Sequence, residues 1–456
     1  GVLWERFGYV DDDPPARFSL RQLASAKEFT QAEIESSFNK QELDYGPPQG
    51  KWWRFDALRC QLLRPKLKII APASTVIEVC YCQALIDGKA SPYHPLCGGP
   101  VCYIDRYTIG SSMDMREVTI TPLEPRGCRY IEVHALCDDV PKQLQHVKLV
   151  HASVLLRGYS SYHETPIGSF ACDSDPILAK IWATGSDTTR SCVEDACIDG
   201  PCRERGQWLG DSGAVTLPNL VYMYDDISPI RLMLQQTSAM ADSNGVFSGN
   251  CPEGGGISDY ALIWFEALKL YMCSTGDLDT VVSLFPRAQL CMDYFLSPTC
   301  YTEGKGFAPP GLGIVIDWGY SSAEAASFPV NICLNALLIS ALRAMVHIAA
   351  SLKDADADQK YATALAKQLR LMRSYMSVTE VWDEEEVEES GWTKISGCLD
   401  DLGQVFTREA LHFDPSKLGF HGASLVLRAG VLDGSDCAAV ARRNACCDYI
   451  KACLQS

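Results

Sequence analysis

Positive charge is in short supply in this 456-residue chain, where 40 Lys and Arg stand against 57 Asp and Glu for a formal net charge of −17. A polyanion such as DNA or RNA meets repulsion over most of such a surface, so nucleic acid is excluded as a partner. An uninterrupted apolar run of membrane-spanning length is also lacking. The nearest, VNICLNALLISALRAMVHIAASL at 330–352, is broken by Asn331, Asn335, Arg343 and His347 at multiples of four. That stripe reads as a buried amphipathic helix with a polar edge turned to a cleft or solvent, and no membrane partner is expected. No CxxC pair exists to build a zinc knuckle, and the spacing of five between Cys192, Cys197 and Cys202 matches no common ligand pattern. DADAD at 354–358 opens like a calcium loop, but its sixth position is Gln359 and its twelfth Leu365, which excludes an EF-hand. No metal and no cofactor are therefore expected. The chain starts at Gly1 and shows no basic-then-apolar leader, so a targeting signal is read as removed or never present. The compartment stays open, a cytoplasmic location being preferred to a secreted one.

What remains is the composition of a globular protein, 47% apolar and 21% charged, long enough for two or three domains. Its 21 Cys are odd in number. Many stand where a small apolar residue would, as Cys273, Cys291 and Cys333 do, and read as reduced core thiols rather than a disulfide framework. Residues 1–50 form an N-terminal extension, partly helical over about 19–43 and bracketed by DDDPP and YGPPQG. From 51 to 165 the runs STVIEVCYCQAL, CRYIEVHAL and HVKLVHASVLL put β-branched and aromatic residues at period two between short turns, the pattern of an antiparallel β-sandwich. Cys80 and Cys82 share one face of such a strand. From 166 to 456 the period moves towards 3.6, with helices expected at 175–194, 212–224, 228–241, 258–275, 279–295, 328–351, 355–376, 403–411, 420–430 and 436–454. In TGDLDT, Gly276 ends one helix, and Asp277 or Asp279 opens the next. DEEEVEES at 383–390 reads as a solvated loop. Paired helices on loops of varied length suggest an α/α toroid, with a site where the loops of the inner helices converge.

Chemistry concentrates in IDGPCRERGQWLGD, 198–211, where Asp199, Glu204 and Asp211 fall within thirteen residues beside Trp208. Gly200 and Pro201 stop the preceding helix and make this a stiff non-helical segment. A carboxylic acid crowded by other carboxylates under an aromatic lid has its proton affinity raised, which general-acid catalysis near neutral pH requires. Arg203 and Arg205 pull the other way, pairing with Asp199 or Asp211 or clamping backbone carbonyls. The competing reading is a surface ion-pair network around a turn. Two further acid-and-Trp groups, Asp259 with Trp264 and Asp317 with Trp318, stand near expected helix ends, and acid beside exposed indole suits a sugar ring. Each Trp taken alone is as readily a core residue.

With these residues in place, the sequence resembles glycoside hydrolase family 78, the α-L-rhamnosidases. The order RYIEV, GSFACDSDPILAKIW, DGPCRERGQWLGD, ISDYALIW, TGDLD, DWG and GFHGASLVLRAGVLD carries the likeness over roughly residues 55 to 435. The segment 198–211 is its most specific part. The resemblance implies an antiparallel β-sandwich followed by an (α/α)6 toroid, and removal of terminal α-L-rhamnose with inversion. It implies Glu204 as general acid, Asp199 and Asp211 as holders of rhamnose hydroxyls, and Trp208 as a pocket wall. Arg203, Asp259, Trp264, Asp317 and Trp318 are carried as further substrate-binding candidates. The partner implied is a rhamnose-containing glycoside or oligosaccharide, and a homo-oligomer is compatible with the reading. RGQW departs from the family's usual Leu-Gly-Trp run, and Gly200 stands where many members have Cys. The family's general base is a Glu in a Trp-Glu setting near the C-terminus, and no Glu follows Glu409. The expectation is thus a toroid incomplete at its C-terminus with the base beyond Ser456. The alternatives are a carbohydrate-binding relative without the base and a hydrolase of another deoxysugar or uronate.

Overall fold

The computed structural model describes residues 8–9, 51–86, 89–90, 93–94, 101–110, 116–136, 146–158, 167–194, 196–202, 204–316, 331–376, 419–433 and 437–455. The expected helices at 19–43 and 403–411, the acidic stretch 383–390, and Arg203, Asp317 and Trp318 lie outside the described residues. The chain divides into two compact units, Gly1–Arg205 and Gly206–Ser456.

The first unit is built on a seven-stranded antiparallel sheet: β1 Gly8–Tyr9, β2 Lys51–Ala71, β3 Val76–Cys82, β4 Ile104–Thr108, β5 Arg116–Ile120, β6 Arg126–Leu136 and β7 Lys148–Leu156. The 21-residue β2 changes partners midway. Its first part pairs with β6, from Ala135 opposite Lys51 to Arg126 opposite Leu63, and its second part pairs with β7 and β5. One strand serving two sets of neighbours lets the sheet curl over a single core, as the sandwich pattern anticipates. Ile77, Val79 and Tyr81 of β3 meet Ile131 and Val133 of β6 and Leu67 and Ile69 of β2 in that core. The alternate residues of β3, Glu78, Cys80 and Cys82, are buried as well, so small thiols fill the strand's second face. Beside them lies a buried polar network in which Arg54 Nε donates to Glu132 Oε1 at 2.6 Å and His134 Nε2 stands 3.0 Å from Glu132 Oε2. A buried carboxylate satisfied on both oxygens avoids most of the desolvation penalty of an unpaired charge. Helix α1, Pro176–Ser191, starts behind Asp175, whose side chain accepts from Ile177 N at 3.0 Å.

The second unit is helical. It holds α2 (209–223), α3 Ser228–Ala239, α4 Ser258–Thr275, α5 Leu278–Phe295, α6 Ile332–Leu352, α7 Ala355–Met376, α8 Gly419–Arg428 and α9 Cys437–Gln455. Gly276 closes α4 in the left-handed conformation at φ 69°, where a side chain is strained. Of the two candidate caps for α5 the structure selects Asp277, which accepts from Thr280 N at 3.0 Å, Thr280 Oγ1 at 2.6 Å and Tyr271 Oη at 2.7 Å. These bonds hold its carboxyl below the usual carboxylate range. Asp354 likewise caps α7 through Ala357 N, which uses the first acid of DADAD for helix initiation.

Helix α6 is long and apolar enough to cross a membrane, yet 83% of its most apolar window is buried inside the protein. Its expected polar edge is divided by depth. Asn331 and Asn335 are buried, Arg343 is half-buried and reaches Ala429 O at 3.0 Å, and His347 is exposed. Asn335 accepts from Phe307 N at 2.8 Å and from Gln368 Nε2 at 2.7 Å, and donates to Phe307 O at 3.0 Å. It therefore ties a turn to the core instead of facing a cleft. Cys291 and Cys333 are buried as expected, but Cys273 is exposed, its Sγ 3.4 Å from His347 Nε2.

Candidate active site

The segment 198–211 straddles the two units, and each part is fixed by its own. Within the first unit, Cys202 Sγ lies 3.0 Å from Gly127 O of β6 and 3.5 Å from Cys60 Sγ of β2. Gly127 has no room for a side chain, because a Cβ there would run into the carbonyl of Pro201 and the sulfur of Cys202. The turn is thus seated directly on sheet backbone. Asp199 is half-buried and Glu204 exposed, so the acid expected to meet a leaving group stands at the surface of its unit.

The next residue, Arg205, takes φ +52°, a left-handed conformation that costs an L-residue about 1–2 kcal/mol. What holds it is Glu194, buried at 5% exposure. Glu194 Oε1 accepts from Arg205 Nη2 at 2.7 Å and Oε2 accepts from Arg157 Nε at 3.1 Å. The partner of Arg205 is therefore neither Asp199 nor Asp211. Sequence reading passed over Glu194 because it sits in CVEDACIDG, apart from the acidic cluster and without an aromatic neighbour. Its one visible signal is a carboxylate between Cys192 and Cys197, two of the cysteines spaced by five that lead up to the turn.

Within the second unit, Gln207 and Trp208 form a short antiparallel ladder with Cys251 and Asn250, and Leu209 N donates to Gly249 O at 2.9 Å. The helix expected from 212 begins at Leu209, so Asp211 is helical and enters a π-helical turn, Ser212–Thr216. Two causes are local. Ser212 Oγ donates to Trp208 O at 2.7 Å, and Gly210 leaves space that the Tyr260 ring fills. The half-buried Trp208 meets Tyr260 edge to face, ring centres 6.3 Å apart. Single π turns recur at functional positions because they re-aim the side chains beside them.

Asp259 is 2% exposed at the start of α4 and accepts from Val315 N at 3.1 Å and Ile316 N at 2.9 Å. Burial pushes its pKa up from the usual carboxylate value. Ile316 has φ +40°, unfavourable for a β-branched residue, and it immediately precedes Asp317. Glu194 and Asp259 thus do the same work in separate units: each buried carboxylate pins a non-glycine residue in a left-handed conformation beside an expected substrate-facing acid. Trp264 is different. It is fully buried, donates from Nε1 to Leu234 O at 3.2 Å and packs on Phe247 at 4.1 Å between ring centres. No indole face is left for a sugar, and the stacking role expected of it is replaced by a core role. Among the described residues no group of three or more His, Cys, Asp or Glu is placed to hold a metal ion.

A curled antiparallel sheet, a helical unit and an acidic turn pinned by the buried Glu194 make up the described protein, and its likeness is to the six-hairpin glycosidases. Residues 165–376 match the family model described as the bacterial alpha-L-rhamnosidase 6 hairpin glycosidase domain. That segment is similar to the α-L-rhamnosidase family that the sequence resembles. Solved structures share the fold. A GH78 family rhamnosidase of Bacillus sp. GL1 is 18% identical with a TM-score of 0.64, over 89% of this chain and 37% of its own. The rhamnosidase from Klebsiella oxytoca with rhamnose bound is 18% identical with a TM-score of 0.63, over 92% of this chain and 80% of its own. The α-L-rhamnosidase from Aspergillus terreus is 14% identical with a TM-score of 0.61, over 88% of this chain and 42% of its own. The chain thus spans well under half the length of the first and third. No curated protein matches it.

Proposed function

We propose that the chain carries the acid side of an inverting α-L-rhamnoside hydrolysis. Glu204 gives its proton to the departing glycosidic oxygen, while Asp199 and Asp211 hold hydroxyls of the sugar and Trp208 offers an amphipathic wall. Inversion needs a second carboxylate about 6.5–9.5 Å from the acid to activate water on the opposite face of the ring. That role is left unassigned among the described residues. The observation that carries the reading is the pinning of Arg205 by Glu194 directly behind Glu204. Backbone strain beside an exposed acid has a use where a proton donor must be aimed, and a surface ion-pair network around a turn has no need of it. The family match of 165–376 supplies the sugar class.

The test measures release of nitrophenol from an aryl α-L-rhamnoside together with rhamnose affinity by calorimetry. Glu204→Gln is expected to lower turnover by at least about a hundredfold, the scale of general-acid assistance, while rhamnose still binds. Wild-type turnover in that variant removes Glu204 from the mechanism. Rhamnose binding without hydrolysis by the unaltered protein assigns it to the carbohydrate-binding alternative.

A further inference from the structure

Beneath the turn that carries Glu204 the sheet gathers several thiols that the proposed hydrolysis does not use. Cys60 projects from β2, Cys128 from β6, and Cys192 and Cys202 from the chain that follows α1. Cys128 stands opposite Gln61, the residue after Cys60, and Cys192 Sγ lies 3.8 Å from Asp199 O of the turn. The Sγ atoms of Cys60 and Cys202 stand 3.5 Å apart. Cys60 is half-buried, while Cys202 is buried against Gly127.

We infer that Cys60 and Cys202 are an oxidisable pair that closes to a disulfide under peroxide, tying the acid-bearing turn to strand β2. The contact between the two thiols holds Cys60 below the usual thiol range, and the same contact together with burial raises Cys202; Cys60 is also the more exposed of the two. Cys60 is thus the sulfur that reacts first. Its thiolate attacks hydrogen peroxide, an S–O bond forms as the O–O bond breaks, and hydroxide leaves to take up a proton as water. Cys202 then gives up its proton and attacks the sulfenic sulfur, forming the S–S bond and expelling a second water. Two thiols and one peroxide yield one disulfide and two waters, and a reducing thiol reverses the cross-link.

Closure draws the sulfurs from 3.5 Å to about 2.05 Å. Cys202 lies two residues before Glu204 in a turn already pressed on sheet backbone, so the contraction is passed along the chain to the acid. On the reading of Glu204 as proton donor, a shift of that order lowers turnover about tenfold to a hundredfold.

The experiment exposes the protein to hydrogen peroxide, blocks remaining thiols with N-ethylmaleimide and maps peptides by mass spectrometry without reduction. A Cys60–Cys202 linked peptide, two hydrogens lighter than its reduced parts and lost on adding dithiothreitol, is the expected result. Maleimide on both cysteines after treatment that oxidises exposed Cys273 overturns the inference. So does Cys202 joined to Cys128, or Cys60 carried to a sulfinic acid with no cross-link. In Cys60→Ser the linked peptide disappears and turnover no longer falls with peroxide; a fall that persists contradicts the proposed effect on the turn. The peptide map is independent of hydrolysis, so failure of the rhamnosidase reading is separately visible.

Discussion

Replacing Glu194 by Ala tests whether a buried carboxylate sets the conformation of the acid-bearing turn. The change removes two charge-assisted hydrogen bonds, each worth about 1.5–3 kcal/mol where water is excluded. Water is not fully excluded here, since the side chains of Arg157 and Arg205 are 53% and 29% exposed. Solvent replaces most of the lost bond to Arg157 and part of that to Arg205, which leaves a net loss of about 2 kcal/mol. For a unit of this size that lowers the midpoint of thermal unfolding by about 4–8 °C. The effect on turnover has a separate origin. Without its partner Arg205 relaxes from φ +52°, the direction of the chain at Glu204 changes, and kcat falls at least about tenfold while rhamnose affinity moves less. Calorimetric unfolding and nitrophenol release read the two effects. A double-mutant cycle with Arg205→Ala should show a coupling of about 1–2 kcal/mol. Additive losses, or unchanged stability and kcat in Glu194→Ala, refute the reasoning.

Gly127→Ala places a methyl group against the carbonyl of Pro201, and the backbone must yield; stability is expected to fall by about 1–3 kcal/mol, with loss of turnover, measured by urea unfolding and the same aryl rhamnoside. The two Trp residues should separate cleanly. Trp264→Ala costs about 3–5 kcal/mol of stability without abolishing rhamnose binding in the fraction that folds, whereas Trp208→Ala leaves the unfolding midpoint nearly unchanged and weakens rhamnose binding in calorimetry. Asp277 has a lowered pKa, so its stabilising effect is present above about pH 4 and is lost as the pH falls through its folded value. Asp277→Asn should therefore be less stable than the unaltered protein at pH 7, and the two should converge in thermal melts taken towards pH 2.

Local chemistry was legible in the sequence wherever one element decides it. Period-two runs marked β3, β6 and β7, Gly276 marked the end of α4, the cap of α5 was narrowed to Asp277 or Asp279, and the acidic turn announced itself by composition. What escaped depends on contacts across elements. Glu194 gains its meaning only when Arg157, 37 residues earlier, and Arg205, 11 residues later, meet its two oxygens. Trp264 reads like a sugar platform beside Asp259 until Phe247 and Leu234 O take up its face and its N–H. Asp259 reads as an acid near a helix end, yet both its oxygens are taken by the backbone at 315 and 316. Cys273 looks like a core thiol in LYMC, and only the helical phase of α4 shows it turned outward beside His347.

The central claim is that Glu204 delivers a proton to the leaving group, and a series of aryl α-L-rhamnosides of graded leaving-group acidity tests it most directly. In Glu204→Gln, kcat/KM should collapse for poor leaving groups and recover towards that of the unaltered protein for an aryloxide that departs without protonation. A uniform loss across the series, or no loss for the poorest leaving group, contradicts the account.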